Sequence, residues 1–497
     1  MKKYFLFVMV VLMLAVPAAS WAAPLNQGED YTVQADDWLS KLAEKFLGDV
    51  LAYPAITYYT NQKNAEDDSY AKITDSNVIE VGQKLYIPTT AEAEAYFNQA
   101  AGEVMMAAGA GGDTVKIGAI LPLSAPGSVS GGIAMKAAFE IALDEINAAG
   151  GVLGQPVDLV MVDTEGLPER GTAAMQRLIS QEGVAGVVGE YHSAVGLAAM
   201  EVAHSNNVPV VFAETWNDDV TAKGYPQIFR IAPLSSEVAQ ANANFIQSSG
   251  AKFVIVMTEN TSYGIPAAEQ LAEQLTERGI ESETYFADIG TLDFAPVIER
   301  IKAGRAPGMI AVLTTGETSF NFTQQAAEAG IGPQQVPTLC NQAVGDSEAF
   351  WSAVPDGNLC TYSRIGLPRA LFTPETTAFV EKYTAATGKA EAESYAMEAY
   401  DSLKLMAQAI NEAGSTDPDA VISALENIKY DGALGTITFP VNSANPPEAA
   451  GKEPKWWHQF PDPAVTMVQY QQPGQDAQDA AVVWPDAYKT ADLMLPQ

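Results

Sequence analysis

The feature that most constrains the fold is an alternation of apolar, strand-like segments with helix-like segments that begins near residue 114. Its first half reads "VKIGAIL", "VDLVMVD", "VAGVVG" and "VPVVF", separated by helical periodicity at 132–149, 170–182 and 194–206. After "IFRIAP" the pattern restarts with "KFVIVMT", "SETYFA", "GMIAVLT", "VPTLC" and "GNLCTYS". Strands that alternate with helices predict a parallel sheet covered by helices on both faces. We therefore expect two successive α/β units whose ligands lie beyond the carboxyl ends of the strands.

The charge of the chain excludes one class of partner. The 497 residues include 61 acidic and 27 basic side chains, and the formal net charge is -34 at pH 7. A surface this negative repels the phosphates of nucleic acids, so we expect no nucleic-acid partner and interpret the acidity as serving solubility. Hydrophobic residues make up 47% of the sequence, which at this length predicts more than one packed domain.

Residues 1–22 have the pattern of a secretory signal peptide. Two lysines precede an apolar stretch from Tyr4 to Val16, and Ser20 and Ala22 are small residues before a cleavage site. We predict cleavage near Ala22 and a secreted, extracytoplasmic location in the periplasm or cell wall. No cysteine follows the apolar stretch, so we expect no lipid anchor, and no later segment approaches the roughly 18 apolar residues of a membrane helix.

A first folded unit is predicted over residues 31–90. A helical stripe of apolar residues follows Asp37 and ends at Gly48, a second short helix covers 54–60, and Gly82 supplies a turn before a closing strand. The residues of the motif are Tyr31, Val33, Asp37, Leu39, Ser40, Leu42, Ala43, Gly48, Asp49, Ile56, Asn61, Ile79, Gly82, Gln83, Leu85, Ile87 and Pro88. This motif resembles a LysM domain, with departures at Ala35–Asp36 and in an insert at Lys63–Asn77.

The LysM resemblance implies a small α+β domain that binds N-acetylglucosamine-containing glycans such as peptidoglycan. The alternative is a domain of the same fold that acts only as a spacer. Residues 91–113 are rich in Ala, Glu and Gly and end in "AAGAGGD", so we predict a flexible linker before the two α/β units.

Polar side chains follow two neighbouring strands of the first α/β unit. The run from Glu190 to Ser193 comes after "GVAGVVG", and the run from Ala213 to Asn217 comes after "VPVVF". Ser193 stands where a helix begins, so it either caps the helix or helps to bind an anion such as a carboxylate. Adjacent residues at such a turn diverge, and the neighbouring glycines lack the spacing of a nucleophile elbow. These segments therefore predict one shared ligand site and no catalytic triad.

Several motifs beyond Val115 together point to one family. They read "IGAILPLSAPG", "ALDEINAAGGVLGQPVDLVMVDTEGLPE", "GVVGEYHSAVGLAA", "SYG" at 262–264 and "GTITF" at 435–439. This part of the chain resembles the type I periplasmic solute-binding proteins, specifically the branched-chain amino acid (Leu/Ile/Val) receptors of ABC importers. The resemblance implies an α/β fold of two lobes, each a doubly wound parallel sheet, that are joined by three crossovers and close on a ligand by a hinge.

From the resemblance we place the three crossovers near Pro233, Ile365 and Gly435. The two-lobed domain then covers 114–497, with the first lobe at about 114–233 and 365–435 and the second lobe at about 234–364 and 436–490.

The same resemblance implies the ligand contacts. A Ser and a Thr that hold the ligand's carboxylate in the family match Ser193 and Thr215. Main-chain carbonyls that hold its ammonium match Tyr191 and Ala213, and an acidic residue with the same role falls on Gln342. The positions of the family's cleft aromatics match Ser130, Tyr263 and Thr315, of which only Tyr263 is aromatic.

An uncharged amide at Gln342 cannot neutralise an ammonium group, and this leaves two alternatives. Either Glu190, Glu214 or Glu317 replaces the lost carboxylate and the ligand is an α-amino acid, or the ligand is a carboxylate, an amide or a urea-like solute without a cationic amine. We favour the amino acid because both anion-holding hydroxyls are kept, and we expect His192 to tune the choice of ligand.

Cys340 and Cys360 are the only cysteines. In an exported protein they either form one disulfide or serve as two small buried side chains. Two cysteines and three scattered histidines give no metal-ligand spacing, so we expect no metal and no cofactor.

Together these patterns predict a non-enzymatic receptor that delivers a small polar solute to the permease of an ABC importer, with a LysM domain that holds it to peptidoglycan. One alternative is a ligand sensor of the same fold. A second is a cell-wall hydrolase that the LysM domain targets.

Overall fold

A computed structural model describes residues 28–34, 37–47, 52–73, 79, 81–93, 96, 114–389, 392–461 and 464–496. The chain forms two compact units that divide after residue 112. The predicted signal peptide at 1–22 and most of the predicted linker, residues 97–113, lie outside the described residues. Within the described part of the chain, no helix is both long enough and apolar enough to cross a membrane.

Among the described residues of the amino-terminal unit, two short strands and two helices surround a small apolar core. Its elements are β1 (Glu29–Thr32), α1 (Leu39–Leu47), α2 (Tyr53–Glu66) and β2 (Lys84–Ile87). The strands β1 and β2 pair antiparallel. The core is formed by Val33, Leu39, Leu42, Ala43, Ala52, Ile56, Ile73, Leu85 and Ile87. Asn61 fixes the segment after α2, because its side chain donates to the Ile73 carbonyl (2.8 Å) and accepts from the Ile73 N–H (2.7 Å).

The second unit is an alternation of strands and helices. Its elements are β3 (Val115–Leu121), α3 (Val129–Ala148), β4 (Val157–Asp163), α4 (Pro168–Arg177), β5 (Val187–Gly189), α5 (Ser193–Ser205), β6 (Val210–Phe212), α6 (Asp219–Ala222), β7 (Ile228–Arg230), α7 (Ser235–Ser249), β8 (Phe253–Glu259), α8 (Gly264–Glu277), β9 (Glu281–Ala287), α9 (Ala295–Ala303), β10 (Met309–Leu313), α10 (Gly316–Glu328), β11 (Thr338–Cys340), α11 (Ser347–Ala353), β12 (Cys360–Ile365), α12 (Pro374–Thr387), α13 (Ser394–Ala413), α14 (Pro418–Asn427), β13 (Tyr430–Gly432), β14 (Gly435–Ile437), α15 (Pro447–Ala450), β15 (Val465–Gln469) and β16 (Ala481–Trp484).

The first lobe is built on a five-stranded parallel sheet in the order β4-β3-β5-β6-β7. The strands β5, β6 and β7 are short, mainly apolar runs buried on both faces, as expected for a sheet covered by helices. Phe139 of α3 and Leu403 and Met406 of α13 pack in one core with Val188 and Val211 of the central strands. The helix α13 therefore lies against the strands whose carboxyl ends carry the predicted site.

The second lobe is built on a seven-stranded sheet in the order β16-β15-β12-β11-β10-β8-β9. The strands from β12 to β9 are parallel, whereas β15 and β16 add to the edge in antiparallel orientation. The two-lobed α/β architecture with parallel sheets is the predicted fold class of this unit.

The predicted third crossover, near Gly435, is wrong in position. Ile437, Phe439 and Phe460 all pack in the first-lobe core, and the Phe439 ring meets Phe229 with ring centroids 5.0 Å apart. The chain also pairs with β7, since the Phe460 N–H donates to the Arg230 carbonyl (2.9 Å). Residues 436–460 therefore extend the first lobe, and the second-lobe sheet resumes with β15 at Val465.

Cys340 and Cys360 are joined by a disulfide in the structure, with their Cα atoms 5.9 Å apart. The bond links β11 to its parallel neighbour β12. It lies immediately before Asn341 and Gln342, and it therefore ties the loop that carries these two residues to the sheet.

Arg230 of β7 is fully buried and holds the loop that follows β6. Its Nη1 donates to the carbonyls of Thr215 (3.0 Å) and Asn217 (2.5 Å), and Nη2 donates to Thr221 Oγ1 (3.0 Å). Its Nε donates to Gln459 Oε1 (2.6 Å). Burial lowers the pKa of Arg230 to about 10, so the guanidinium remains charged at neutral pH and donates all of these bonds.

We predict that Arg230→Met lowers the free energy of unfolding by about 3 to 5 kcal/mol, because it leaves several buried acceptors without a donor. Urea denaturation measures the change. Arg305→Met is the matched control, since the Arg305 side chain is 52% exposed and its ion pair with Glu281 should contribute less than about 1 kcal/mol. Equal effects of the two substitutions would contradict the structural role of Arg230.

Candidate functional site

A cavity of about 430 Å³ lies between the two lobes. It is found at the carboxyl ends of the strands, as expected for a parallel α/β sheet. The residues that line it are Gly166, Leu167, Pro168, Tyr191, His192, Ser193, Ala194, Glu214, Trp216, Glu259, Asn260, Thr261, Ser262, Tyr263, Ile265, Ile289, Thr315, Asn341 and Gln342.

The turn from β5 into α5 forms one wall of the cavity. It begins at Gly189, where φ is 101° and where any Cβ would lie only 2.2 Å from the Ile120 carbonyl oxygen, so the position has room only for glycine. Glu190 is fully buried behind the wall. Its carboxylate accepts hydrogen bonds from the His192 N–H (3.0 Å) and the Thr164 hydroxyl (2.9 Å), so it fixes the turn.

Ser193 is the first residue of α5 and faces the cavity. Its Oγ accepts a hydrogen bond from the Asn217 N–H (3.1 Å), which leaves the hydroxyl hydrogen available for a ligand. The first N–H groups of the helix have no partner within the helix and carry partial positive charge. This end of the cavity therefore favours an anionic group.

The segment after β6 contributes alternate side chains to the cavity. Glu214 and Trp216 line it, whereas Ala213 and Thr215 are fully buried outside the lining. The Thr215 methyl group points to α5, where it would lie 2.5 Å from a Cβ placed at Gly196. Successive side chains of an extended segment point in opposite directions, so this segment can present only every second residue to the cavity.

The loops after β8 and β10 form the wall on the second lobe. Glu259, the last residue of β8, accepts hydrogen bonds from the Thr261 hydroxyl and from both the N–H and the hydroxyl of Thr315, each at 2.8 Å. Its two oxygens are therefore engaged in joining the two loops. The Tyr263 ring meets Trp216 edge to face, with ring centroids 6.0 Å apart, and adds aromatic surface to the cavity.

Gln342 and Glu214 meet across the cavity. Gln342 begins a short 3₁₀ helix after β11 (Gln342–Gly345), and its Nε2 donates a hydrogen bond to Glu214 Oε1. Glu214 Oε2 and Gln342 Oε1 are buried, and neither receives a hydrogen bond from an N–H or hydroxyl group of the described residues. Two acceptor atoms are therefore left at this end of the cavity, where a ligand with hydrogen-bond donors would satisfy them.

The electrostatics of the cavity are dominated by buried acids. Burial raises the pKa of the Glu214 carboxyl to about 7, because the charged form loses its hydration. Burial also raises the pKa values of the Tyr191 and Tyr263 hydroxyls, so both rings remain neutral. The described residues that line the cavity include no lysine and no arginine. The end of the cavity at Glu214 therefore favours a positively charged or hydrogen-donating group.

The structure brings most of the predicted ligand-binding residues to the cavity. Those that line it are Tyr191, His192, Ser193, Glu214, Tyr263, Thr315 and Gln342. Ser130, Ala213 and Thr215 are not among the lining residues, and their ligand contacts stay predictions. The contact expected of Ala213 belongs to its main-chain carbonyl, and the buried Thr215 Oγ1 has no hydrogen-bond partner among the described residues. Ser130 fails to reach the cavity because it lies where the lobes touch, with its N–H donating to Glu317 Oε1 (2.8 Å).

Sequence analysis missed two acidic residues of the site region. Glu259 ends β8, so the rule that ligands lie beyond the carboxyl ends of strands could have identified it. Glu398 lies in the middle of α13 and packs on Glu214, and no local pattern distinguishes it. Among the described residues, no group of three or more histidine, cysteine, aspartate or glutamate side chains is arranged to hold a metal ion.

We predict that Glu214→Gln stabilises the protein at pH 8 and not at pH 5. The carboxyl ionises at 4.5 in the unfolded chain and at about 7 in the folded protein. The unfolded chain therefore gives up its proton first, and the wild type loses stability as the pH rises between these values, by up to about 3 kcal/mol.

Urea denaturation at the two pH values measures this difference. Glu299→Gln is the control, because its side chain is 70% exposed and should show no such dependence on pH. A stability difference between Glu214→Gln and the wild type that is the same at pH 5 and pH 8 would contradict the burial of an ionisable carboxyl.

The sequence and structure of the second unit are similar to those of known proteins. Residues 114–447 match the Periplasmic binding protein family. The Leu/Ile/Val-binding protein homolog 7 of Brucella abortus (strain 2308) is 28% identical over 410 residues, which cover 77% of this chain and 94% of that protein.

Two solved structures share the fold. The branched-chain amino acid transporter substrate binding protein LivJ from Streptococcus pneumoniae, in complex with isoleucine, has a TM-score of 0.63 and 22% identity and covers 75% of this chain and 100% of its own. A solute binding protein of an ABC transporter from Rhodopseudomonas palustris BisB5, in complex with 3,4-dihydroxy benzoic acid, has a TM-score of 0.61 and 21% identity and covers 72% of this chain and 93% of its own. Since the family match spans more than half of the sequence, the chain belongs to the Periplasmic binding protein family.

Proposed function

We propose that this chain is the ligand-binding receptor of an ABC importer and that its ligand is an amino acid or a closely related small amine. Membership of the Periplasmic binding protein family implies an extracytoplasmic location. The Brucella relative is named as a Leu/Ile/Val-binding protein homolog, and the Streptococcus structure holds isoleucine. These relatives support a receptor, and the chemistry of the cavity supports an amine-bearing ligand.

The single observation that carries the choice of ligand is the buried carboxylate of Glu214 opposite Gln342. Three carboxylates could replace the one absent at Gln342, and two of them are otherwise engaged. Glu190 accepts from His192 and Thr164 behind the wall, and Glu317 bonds to Ser130 outside the cavity lining. Glu214 alone of the three lines the cavity. Its Oε2 and the indole N–H of the neighbouring Trp216 both lack a hydrogen-bond partner of good geometry among the described residues. An ammonium group of the ligand would satisfy that oxygen.

The start of α5 offers hydrogen-bond donors for an anionic group of the ligand. The Ser193 hydroxyl and the first N–H groups of the helix can donate to the carboxylate of an amino acid. The cavity also has apolar surface from Leu167, Ile265 and Ile289 and from the rings of Trp216 and Tyr263. Its volume of about 430 Å³ is within the usual range for small-molecule sites. The best-fitting ligand is therefore an amino acid with an apolar side chain.

The contacts of the histidines argue against hydrolysis. His192 uses Nε2 to accept from the Ser128 N–H (3.3 Å), and its Nδ1 lies 3.4 Å from Glu190 Oε1, so neither nitrogen serves Ser193. His204 and His458 bond to other residues away from the cavity. No histidine among the described residues therefore serves Ser193 as a general base, and a ligand-binding role is the better explanation of its position.

We predict that amino acids with apolar side chains raise the melting temperature of the wild type, and that above Kd the rise grows with the logarithm of their concentration, because they bind only the folded form. Ser193→Ala and Glu214→Gln should each weaken binding about 10-fold or more, through loss of a hydrogen bond to a charged group. A thermal-shift titration followed by calorimetry measures both effects.

Ser180→Ala is the control for the serine substitution, since the Ser180 hydroxyl bonds to the Gln176 carbonyl on an exposed helix. Stabilisation by benzoate and related acids alone, without any response to amino acids, would contradict the proposed ligand and favour an organic acid.

We further propose that the amino-terminal unit is a LysM domain that tethers the receptor to peptidoglycan. The residues of the sequence motif support this assignment, because Val33, Leu42, Ile56 and Leu85 are the buried residues that determine how the two helices pack on the strands. The described part of the insert after α2 remains attached to this unit through the bonds between Asn61 and Ile73. The insert therefore leaves the core of the proposed domain intact.

The tether predicts that the mature protein sediments with purified peptidoglycan and that a variant lacking residues 28–90 remains in the supernatant. The variant should still bind its solute, since the matched family region, residues 114–447, lies within the second compact unit. If the full chain does not sediment, or if both proteins do, the tether proposal fails while the receptor proposal stands.

A further inference from the structure

Glu398 is a fully buried acid with no conventional hydrogen-bond donor. Neither of its oxygens accepts a hydrogen bond from an N–H or hydroxyl group of the described residues. Asp401, one turn further along α13, is different, because its carboxylate accepts from the N–H groups of Leu434 (2.7 Å) and Ala433 (2.9 Å) and from the Tyr430 hydroxyl (3.0 Å). The same helix therefore carries one buried acid that is satisfied and one that is not.

The polar group that Glu398 does meet is the carboxyl of Glu214, with which it forms a side-chain hydrogen bond. An ionised carboxylate has only acceptor atoms, so two carboxyl groups can bond only if one of them carries a proton. The other titratable groups that face the pair are Asp401 on α13, His192 after β5, and the Tyr191 and Tyr263 hydroxyls. With Asp401 close by and no lysine or arginine in the described cavity lining, a second negative charge here would be costly.

We propose that Glu398 is a positioning residue for ligand recognition: it is protonated, donates its O–H to the Glu214 carboxylate, and so holds one negative charge in a fixed direction at the floor of the cavity. The proposal rests on the proposed function, in which Glu214 binds the ligand's amine. Gln342 donates to Glu214 from the second lobe and Glu398 donates from beneath it. The carboxylate is thereby held between two neutral donors, with capacity left for an ammonium group.

The burial of both carboxyls is consistent with a protonated Glu398 beside a charged Glu214. Burial and the neighbouring charge of Glu214 raise the pKa of Glu398 well above its usual range, whereas the pKa of Glu214 is about 7. Because Glu214 lines the cavity and accepts from the Gln342 amide, whereas Glu398 has no N–H or hydroxyl donor, the proton that the pair retains lies on Glu398. One retained charge matches a ligand with one ammonium group and disfavours a ligand that offers only a carboxylate.

The test compares Glu398→Gln with Glu398→Met in ligand-free protein. NMR of protein labelled with ¹³C-glutamate follows the chemical shift of the Glu214 carboxyl carbon as the pH is changed. The spectrum of Glu214→Gln identifies which signal belongs to Glu214. Gln keeps a neutral donor, so the midpoint of Glu214 should remain near that of the wild type. Met removes the donor, so the midpoint should rise by about one pH unit, since one unit corresponds to the loss of a modest hydrogen bond. Ser402→Ala is the control, because Ser402 is buried on the same helix and bonds to the Ala399 carbonyl.

Two results would overturn the proposal. A midpoint that falls by a unit or more in Glu398→Gln would mean that Glu398 carries a charge, and an unchanged midpoint in a folded Glu398→Met would mean that Glu398 does not act on Glu214. If the Met variant fails to fold, the Gln variant decides the question alone. None of these readings needs a ligand, so they remain valid even if no amino acid binds and the proposed function fails.

A binding measurement then extends the test to ligand recognition. With an amino acid identified by thermal shift, Glu398→Gln should keep Kd at pH 7 within about 3-fold of the wild type, and Glu398→Met should weaken it about 10-fold or more. Equal weakening by both substitutions, with circular dichroism showing intact folds, would contradict positioning through a neutral donor.

Discussion

The hydrogen bond from the Gln342 amide to the Glu214 carboxylate is the interaction on which the site depends. It joins the lobes across the cavity, because Gln342 follows β11 of the second lobe and Glu214 follows β6 of the first. It also determines where the charge lies. In the proposed function, the carboxylate that meets an amine is on the first lobe, and the second lobe supplies the uncharged Gln342 amide. Closure of the lobes and recognition of the ligand therefore use the same pair of side chains.

The surroundings of this pair are held by polar groups that do not themselves meet a ligand. Glu190 fixes the turn that presents Ser193, Glu259 joins two loops of the second lobe, and Arg230 holds the main chain after Glu214. Each of these buried charges is satisfied by several hydrogen bonds, which is how charged groups are tolerated away from water. Glu214 differs from them, because its Oε2 accepts no hydrogen bond from an N–H or hydroxyl group of the described residues. A buried acceptor without a partner is expected where a ligand supplies the missing donor.

Much of the fold follows from local patterns, and the parts that do not follow depend on distant contacts. The strand ends near Ser193 and Glu214 are visible in the sequence, since short apolar runs followed by polar residues locate the edge of a parallel sheet. The sequence does not show which side chains after β6 face the cavity. In the structure the Thr215 methyl group points to α5. The resemblance places the third crossover near Gly435, but the packing of Phe439 on Phe229, a contact between residues distant in sequence, keeps this segment on the first lobe. Glu398 becomes significant only when α13 brings it beneath Glu214.

The most direct test of the account is the number of protons exchanged when the ligand binds. Calorimetric titration near pH 7, in two buffers of different ionisation enthalpy, measures it without reference to any variant. If an ammonium group meets Glu214, whose pKa is about 7, binding favours the charged form and the protein should release a fraction of a proton. Proton uptake on binding would mean that a carboxylate meets a protonated Glu214, and no exchange would mean that Glu214 takes no part; either result would contradict the account.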